Sequence, residues 1–321
     1  MAELEIGYLL PSRDRALTGD HRLDRLVAQA RRAEELGLDS VWVGDSPITR
    51  PRADPIALLA AVAQATDRVT LGTAVLVAPL RHPILLAHQL ATLDRLADGR
   101  LVAGLGAGFP TAATEAQFVA IGADFGHRGG YLEESVEVMR RLWSGEPVSY
   151  RGRHVAFDDV RIAPTPSNPA GPQIWLAGDG RTALARVARV ADGWLPYPPQ
   201  VTGYAAGVRA IREAATRPVT AALYATLGLD EDSARARRRL RASIEPYYDA
   251  PLERVAAIQA MFAGSAAEAA AWLGGYVAAG ARHLVIRLAT DDHEAGLEQL
   301  AAGVLPVLRG IRPETHHEED L

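Results

Sequence analysis

The sequence contains neither cysteine nor lysine. Without cysteine there can be no disulfides, iron–sulfur clusters, thiolate zinc sites or thiolate nucleophiles. Without lysine no side-chain amine can form a Schiff base, which removes aldolase and pyridoxal-phosphate chemistry. All 34 Lys-or-Arg positions are arginine. Long apolar runs are missing as well. The longest, such as Ile56–Ala65, fall well short of the roughly 20 residues a membrane span needs. The opening MAELEIGYLL enters a strand-like segment with no basic leader, so a cytoplasmic protein without a secretory signal is expected. A net charge of −5 with mixed signs carries no polyanion signature, and nucleic acid is not an expected partner. The densest basic run, Arg235–Arg241, stands beside Asp230, Glu231, Asp232 and Glu245 and reads as a solvated helix face.

With 48% hydrophobic residues the chain can bury a full core. Apolar runs of strand length alternate with longer patterns of helical spacing, the βαβ signature of a parallel sheet. The expected strands are Leu4–Leu10, Ser40–Gly44, Val69–Leu76, Arg100–Leu105, Ile174–Ala177, Gly193–Leu195, Val219–Leu227 and His283–Leu288. Helices are expected at about 23–36, 55–66, 83–96, 128–143, 182–190, 203–215, 266–279 and 295–308, with a hairpin around Arg151-Gly152-Arg153. Eight strands, each followed by helix, count out as an α/β fold, a (β/α)₈ TIM barrel over residues 1–312. The stretches 106–127, 144–172 and 246–264 read as insertions at the C-terminal mouth, and the acidic segment 313–321 reads as a disordered tail.

In a barrel the chemistry sits at the C-terminal ends of the strands. Strand two ends in Asp45-Ser46, and Asp45 can meet a heterocycle or serve as a cap or as a partner of Arg50 or Arg52. Strand three ends in Leu71-Gly72-Thr73-Ala74-Val75-Leu76, small residues that leave room for a flat ring or simply pack in the core. His82-Pro83 reads as a helix start. Strand four ends in Gly104-Leu105-Gly106-Ala107-Gly108-Phe109. The spacing fails the dinucleotide fingerprint, and the glycines instead let a ligand approach the backbone. Strand five ends in Ala177-Gly178-Asp179-Gly180-Arg181-Thr182, where a helix opens. Exposed backbone N–H groups, the helix dipole, Arg181 and Thr182 together make a candidate phosphate turn; the alternative is a glycine turn beside a solvent arginine.

The order of Ala33–Val43, Leu71–Leu76, Ala91–Leu96 leading into Gly99-Arg100-Leu101, and Ala191-Asp192-Gly193-Trp194 resembles the luciferase-like monooxygenase superfamily over roughly residues 4–310. The resemblance implies a flavin- or deazaflavin-dependent oxidoreductase. It implies a non-prolyl cis peptide at Ala74-Val75 behind the ring, Asp45 near the ring, and Gly106, Ala107 and Gly108 on its other side. It further implies that Arg128 reaches the phosphate and that Ala177 to Thr182 form the phosphate turn. Many members follow the strand-two acid with an acid/base histidine, where this chain has Ser46; Asp45 and Ser46 are the catalytic candidates. That departure favours a two-component monooxygenase, which takes reduced FMN from a separate flavin reductase and uses dioxygen to oxygenate a small organic substrate. The alternatives are a dehydrogenase or reductase using coenzyme F-420, a deazaflavin, and a non-catalytic flavin-binding paralogue. A homodimer is expected, and no metal site.

Overall fold

The structure, a computed structural model, describes residues 3–311; the acidic segment lies outside the described residues. The barrel strands are β1 (Glu5–Leu9), β2 (Ser40–Val43), β3 (Thr70–Thr73), β4 (Leu101–Gly106), β5 (Gln173–Leu176), β6 (Gly193–Trp194), β7 (Thr220–Leu229) and β8 (His283–Leu288). Each pairs in parallel with its neighbours in the order β7-β8-β1-β2-β3-β4-β5-β6, and Thr220 and Ala221 of β7 pair with Gly193 and Trp194 of β6 to close the ring. The expected (β/α)₈ barrel is the observed fold.

Local chemistry explains the helix starts. Asp54 caps the helix Pro55–Ala63 by accepting from the N–H groups of Ile56 and Ala57, and proline at the first position supplies a preset φ. The ring of His82 caps Pro83–Leu96 in the same way by accepting from Ile84 N–H at 3.3 Å. Ser265 and Glu268 form a reciprocal capping box at Ala266–Ala278.

The barrel interior is packed by two tryptophans. Trp42 and Trp175 lie with ring centroids 5.3 Å apart, and the His283 ring meets both edge-on at 5.3 and 5.0 Å. Ser40 Oγ ties the cluster together, accepting from Trp42 Nε1 at 2.7 Å and bonding His283 Nε2 at 2.7 Å. These large rings fit because the facing positions are glycine. A Cβ on Gly72 would lie 2.1 Å from the Trp42 ring, and one on Gly193 would lie 2.4 Å from Trp175. The room that Gly72 leaves is therefore filled by protein. A second, larger apolar layer lies between the strands and the surrounding helices.

The three stretches read as insertions carry more regular structure than expected. The first, 106–127, holds the helix Ala112–Ile121, capped by Thr111 and closed by Gly122 at φ 76°. The second, 144–172, contains the expected hairpin, Val148–Arg151 with Ala156–Val160. In the third, the helix Ser233–Tyr248 runs through Pro246, Asp249 turns the chain at φ 51°, and Leu252–Ala256 forms a short helix. Met261–Gly264 then adds a parallel strand beside Thr226–Leu229 of β7, above the point where β6 ends. The mouth is thus walled by an extra strand and two helices rather than by open loop.

Candidate active site

A cavity of about 640 Å³ opens at the C-terminal ends of the strands. A roomier cleft of about 1080 Å³ lies outside the barrel mouth against Asp14, Arg15, Asp291 and His293, and contains none of the strand-three to strand-five ends. The mouth cavity gathers Asp45, Ser46, Ala74, Val75, Gly106, Ala107, Gly108, Ala177, Gly178, Asp179 and Gly180. Residues separated by more than 130 positions in sequence therefore share one wall system.

The Ala74-Val75 peptide is cis. It interrupts β3, after which Leu76-Val77 pairs with Leu105-Gly106 of β4. Gly106 sits directly against this bend: a Cβ there would lie 2.8 Å from Val75 Cγ2. Together they form a small-residue shelf on one side of the cavity.

Asp45 has a different partner from the arginines Arg50 and Arg52 considered for it. Its side chain is 2% exposed and forms a two-pronged ion pair with Arg81, at 2.6 and 3.1 Å. It also accepts from Val77 N–H at 2.9 Å. Asp45 thus clamps the segment after the cis bend. Arg81 in turn is held charged, because the adjacent carboxylate outweighs the burial that would lower it. Ser46 is buried, and its Oγ accepts from Arg50 N–H at 3.0 Å and lies 3.5 Å from Gln117 Oε1. It pins the 46–50 loop to the helix Ala112–Ile121.

The turn expected to hold a phosphate lines the cavity from Ala177 to Gly180, and the helix side chains that follow onto the wall are not the expected ones. Gly178 adopts φ 106° and its carbonyl accepts from Trp194 Nε1 at 2.7 Å. The helix Arg181–Val190 opens at Gly180 with no side-chain cap, so its first N–H groups are left for a ligand. Arg181 and Thr182, the expected donors, are exposed and lie off the cavity wall. Ala183 and Arg186, three residues apart on one helix face, turn inward instead. Arg186 Nε is buried without a hydrogen-bond partner, and its nearest carboxylate, Glu133, is 3.7 Å away. The helical period from Gly180 is the signal that places Arg186 rather than Arg181 on the cavity side. Arg128 stacks on the Phe125 ring at 3.9 Å and donates to the carbonyls of Phe125 and Gly108, supporting the Gly108 loop from behind.

The remaining wall is aromatic and cationic. Tyr197, Tyr224, Tyr247 and Tyr248 line it together with Arg50 and Arg52. Burial pushes the hydroxyls of Tyr197, Tyr224 and Tyr248 up, so they keep their protons at neutral pH. No histidine lines the cavity among the described residues. His88 bonds the Ala163 carbonyl and His127 pairs with Asp124 on the surface.

The sequence profile described as luciferase-like monooxygenase matches residues 4–301. The chain belongs to that family. An F420-dependent glucose-6-phosphate dehydrogenase of Kineococcus radiotolerans is 32% identical across 89% of this chain and 93% of that one. An F420-dependent hydroxymycolic acid dehydrogenase of Mycobacterium tuberculosis is also 32% identical, over 67% of this chain and 62% of that relative. In fold, the monooxygenase RslO1 of Streptomyces bottropensis superposes with a TM-score of 0.79 at 22% identity, covering 94% and 99% of the two chains. This member of the luciferase-like family is an oxidoreductase. Among the described residues no helix is long and apolar enough to cross a membrane.

Proposed function

We propose that the protein is a deazaflavin-dependent oxidoreductase, passing hydride between coenzyme F-420 and a small organic substrate at the barrel mouth. The observation that carries this reading is the relationship, over nine-tenths of both chains, to a dehydrogenase named for that coenzyme. The residues present fit such a group. The shelf of Ala74, Val75 and Gly106 suits a flat ring, and the uncapped helix start with Arg186 on the same wall suits its phosphate. When bound, the coenzyme supplies or accepts the hydride.

The chain's own part is orientation. Asp45 and Arg81 hold the shelf, Ser46 holds the loop that leads to the arginine wall, and Gly108 is held by Arg128. The phenols lining the cavity keep their protons at neutral pH and can donate hydrogen bonds to a substrate oxygen, but burial makes them weaker acids, so their part is to orient that oxygen. A carbonyl or an alcohol oxygen would be held in this way. The test is anaerobic turnover of reduced deazaflavin with a panel of carbonyl compounds. Oxygen-independent oxidation of the coenzyme is expected, and no consumption with any of them would remove the reductive direction.

A second reading is favoured by the lack of a lining histidine: reduced FMN from a separate reductase, with dioxygen oxygenating the substrate. That route asks the protein chiefly to exclude water and position substrate. The buried aromatic wall suits that task, and oxygen uptake with reduced FMN is its signature.

A further inference from the structure

Four guanidinium groups converge on the aromatic wall. Arg13, Arg52 and Arg287 place Cζ 5.8, 5.3 and 4.2 Å from the centre of the Tyr247 ring, and Arg50 places its Cζ 5.2 Å from that of Tyr248. One carboxylate answers them: Asp14, bound to Arg287 at 2.6 Å. Among the described residues no acid lies within ion-pair distance of Arg13, Arg50 or Arg52. The Arg52 guanidinium has only neutral acceptors among the described residues: the Tyr247 hydroxyl accepts from it at 3.0 Å and the Arg50 carbonyl accepts from its Nε at 3.4 Å. Arg13 Nε is buried without a partner. Guanidiniums drawn out of water without a counter-charge are costly, and Arg50 and Arg52 face the open cavity, where a counter-charge can arrive.

We propose that Arg50 and Arg52, backed by Arg13, form a subsite for an oxyanion on the substrate, a carboxylate or a phosphate. The inference rests on this cavity being the substrate cavity of the reading above. The subsite is separate from the phosphate turn. Arg50 and Arg52 follow β2, and the turn follows β5, three strands further round the ring, with the β3–β4 shelf between them. A cofactor phosphate at the turn and a ring on the shelf leave the arginine wall for the substrate. Paired guanidiniums suit this task because each offers a planar fork of donors to an oxyanion.

The test titrates the full-length protein with inorganic phosphate and, separately, with acetate, by calorimetry. Wild type is expected to bind one or both, more weakly as chloride rises. Arg52→Met and Arg50→Gln are each expected to bind acetate, and the phosphate taken up at this subsite, about ten- to a hundredfold more weakly, with Arg181→Ala, exposed off the cavity wall, retaining binding. Preference for phosphate or for acetate assigns the anion. Arg50→Gln and chloride competition on wild type keep the test decisive should Arg52→Met not fold. Absence of binding to wild type, or binding that both Arg52→Met and Arg50→Gln leave unchanged, overturns the subsite. Because neither probe needs a cofactor, this outcome is separable from failure of the deazaflavin reading, which is read by coenzyme binding alone.

Discussion

At the scale of single residues, the site depends on a few charges held in definite relations. Arg186 lines the cavity beside an uncapped helix start, whereas Arg181 is exposed off the cavity wall. Arg186→Met is therefore expected to weaken cofactor binding by about 1–3 kcal/mol, the range for a lost charge-assisted bond. Arg181→Ala should change it far less. Fluorescence titration of both variants checks this, and the reverse order of effects would return the phosphate to Arg181. His293 offers a pH signature outside the mouth. Burial pushes its pKa down to about 4, with Asp14 opposing and Arg287 and Arg15 reinforcing the shift, and Nδ1 bonds the Tyr8 hydroxyl at 2.9 Å. The unfolded chain, with an ordinary value of about 6.5, takes up the proton first. Stability from this group is thus complete above about pH 6.5 and is lost as pH falls towards 4, by up to about 3 kcal/mol. Urea unfolding at pH 7 and pH 4.5 measures the loss, and His293→Gln should reduce it; an equal loss in the variant would exclude His293 as its source.

At the scale of elements, Gly72 tests how the barrel interior is filled. A methyl at this position meets the Trp42 ring, which is fully buried, so Gly72→Ala is expected to cost about 1–3 kcal/mol of stability. Chemical denaturation measures it, and an unperturbed midpoint would mean the ring can shift freely. The same residue shows where sequence reading stops. Strand positions were legible because apolar runs punctuated by glycine and proline repeat along the chain, and the cis peptide at Ala74-Val75 was legible through family likeness. That Gly72 accommodates Trp42 rather than a ligand was not, since the two meet through the register of β2 on β3, which pairs Trp42 with Gly72 and which no local pattern fixes. The helix Ala112–Ile121 escaped notice because its burial is slight: Gln117 and Phe118 are buried while Val119 is 72% exposed, so it carries little apolar periodicity. Asp45 was placed correctly at the mouth, but its partner Arg81 lies 36 residues away, and no local rule selects it over Arg50 or Arg52.

At the scale of the whole molecule, the ring of strands sets three stations around one cavity. The turn after β5 presents backbone N–H groups and Arg186, the β3–β4 shelf presents small residues, and the β2 and post-β7 segments present arginine and tyrosine. A homodimer is the expected assembly, and light scattering on the purified protein should give about twice the mass of the chain. The reading as a deazaflavin enzyme is tested most directly by offering the purified protein coenzyme F-420 and FMN side by side. Binding is followed by fluorescence, then turnover with and without oxygen. The account predicts tight deazaflavin binding, weak FMN binding and hydride transfer that proceeds without oxygen. Tight binding of FMN, indifference to the deazaflavin and turnover that stops when oxygen is removed would contradict it.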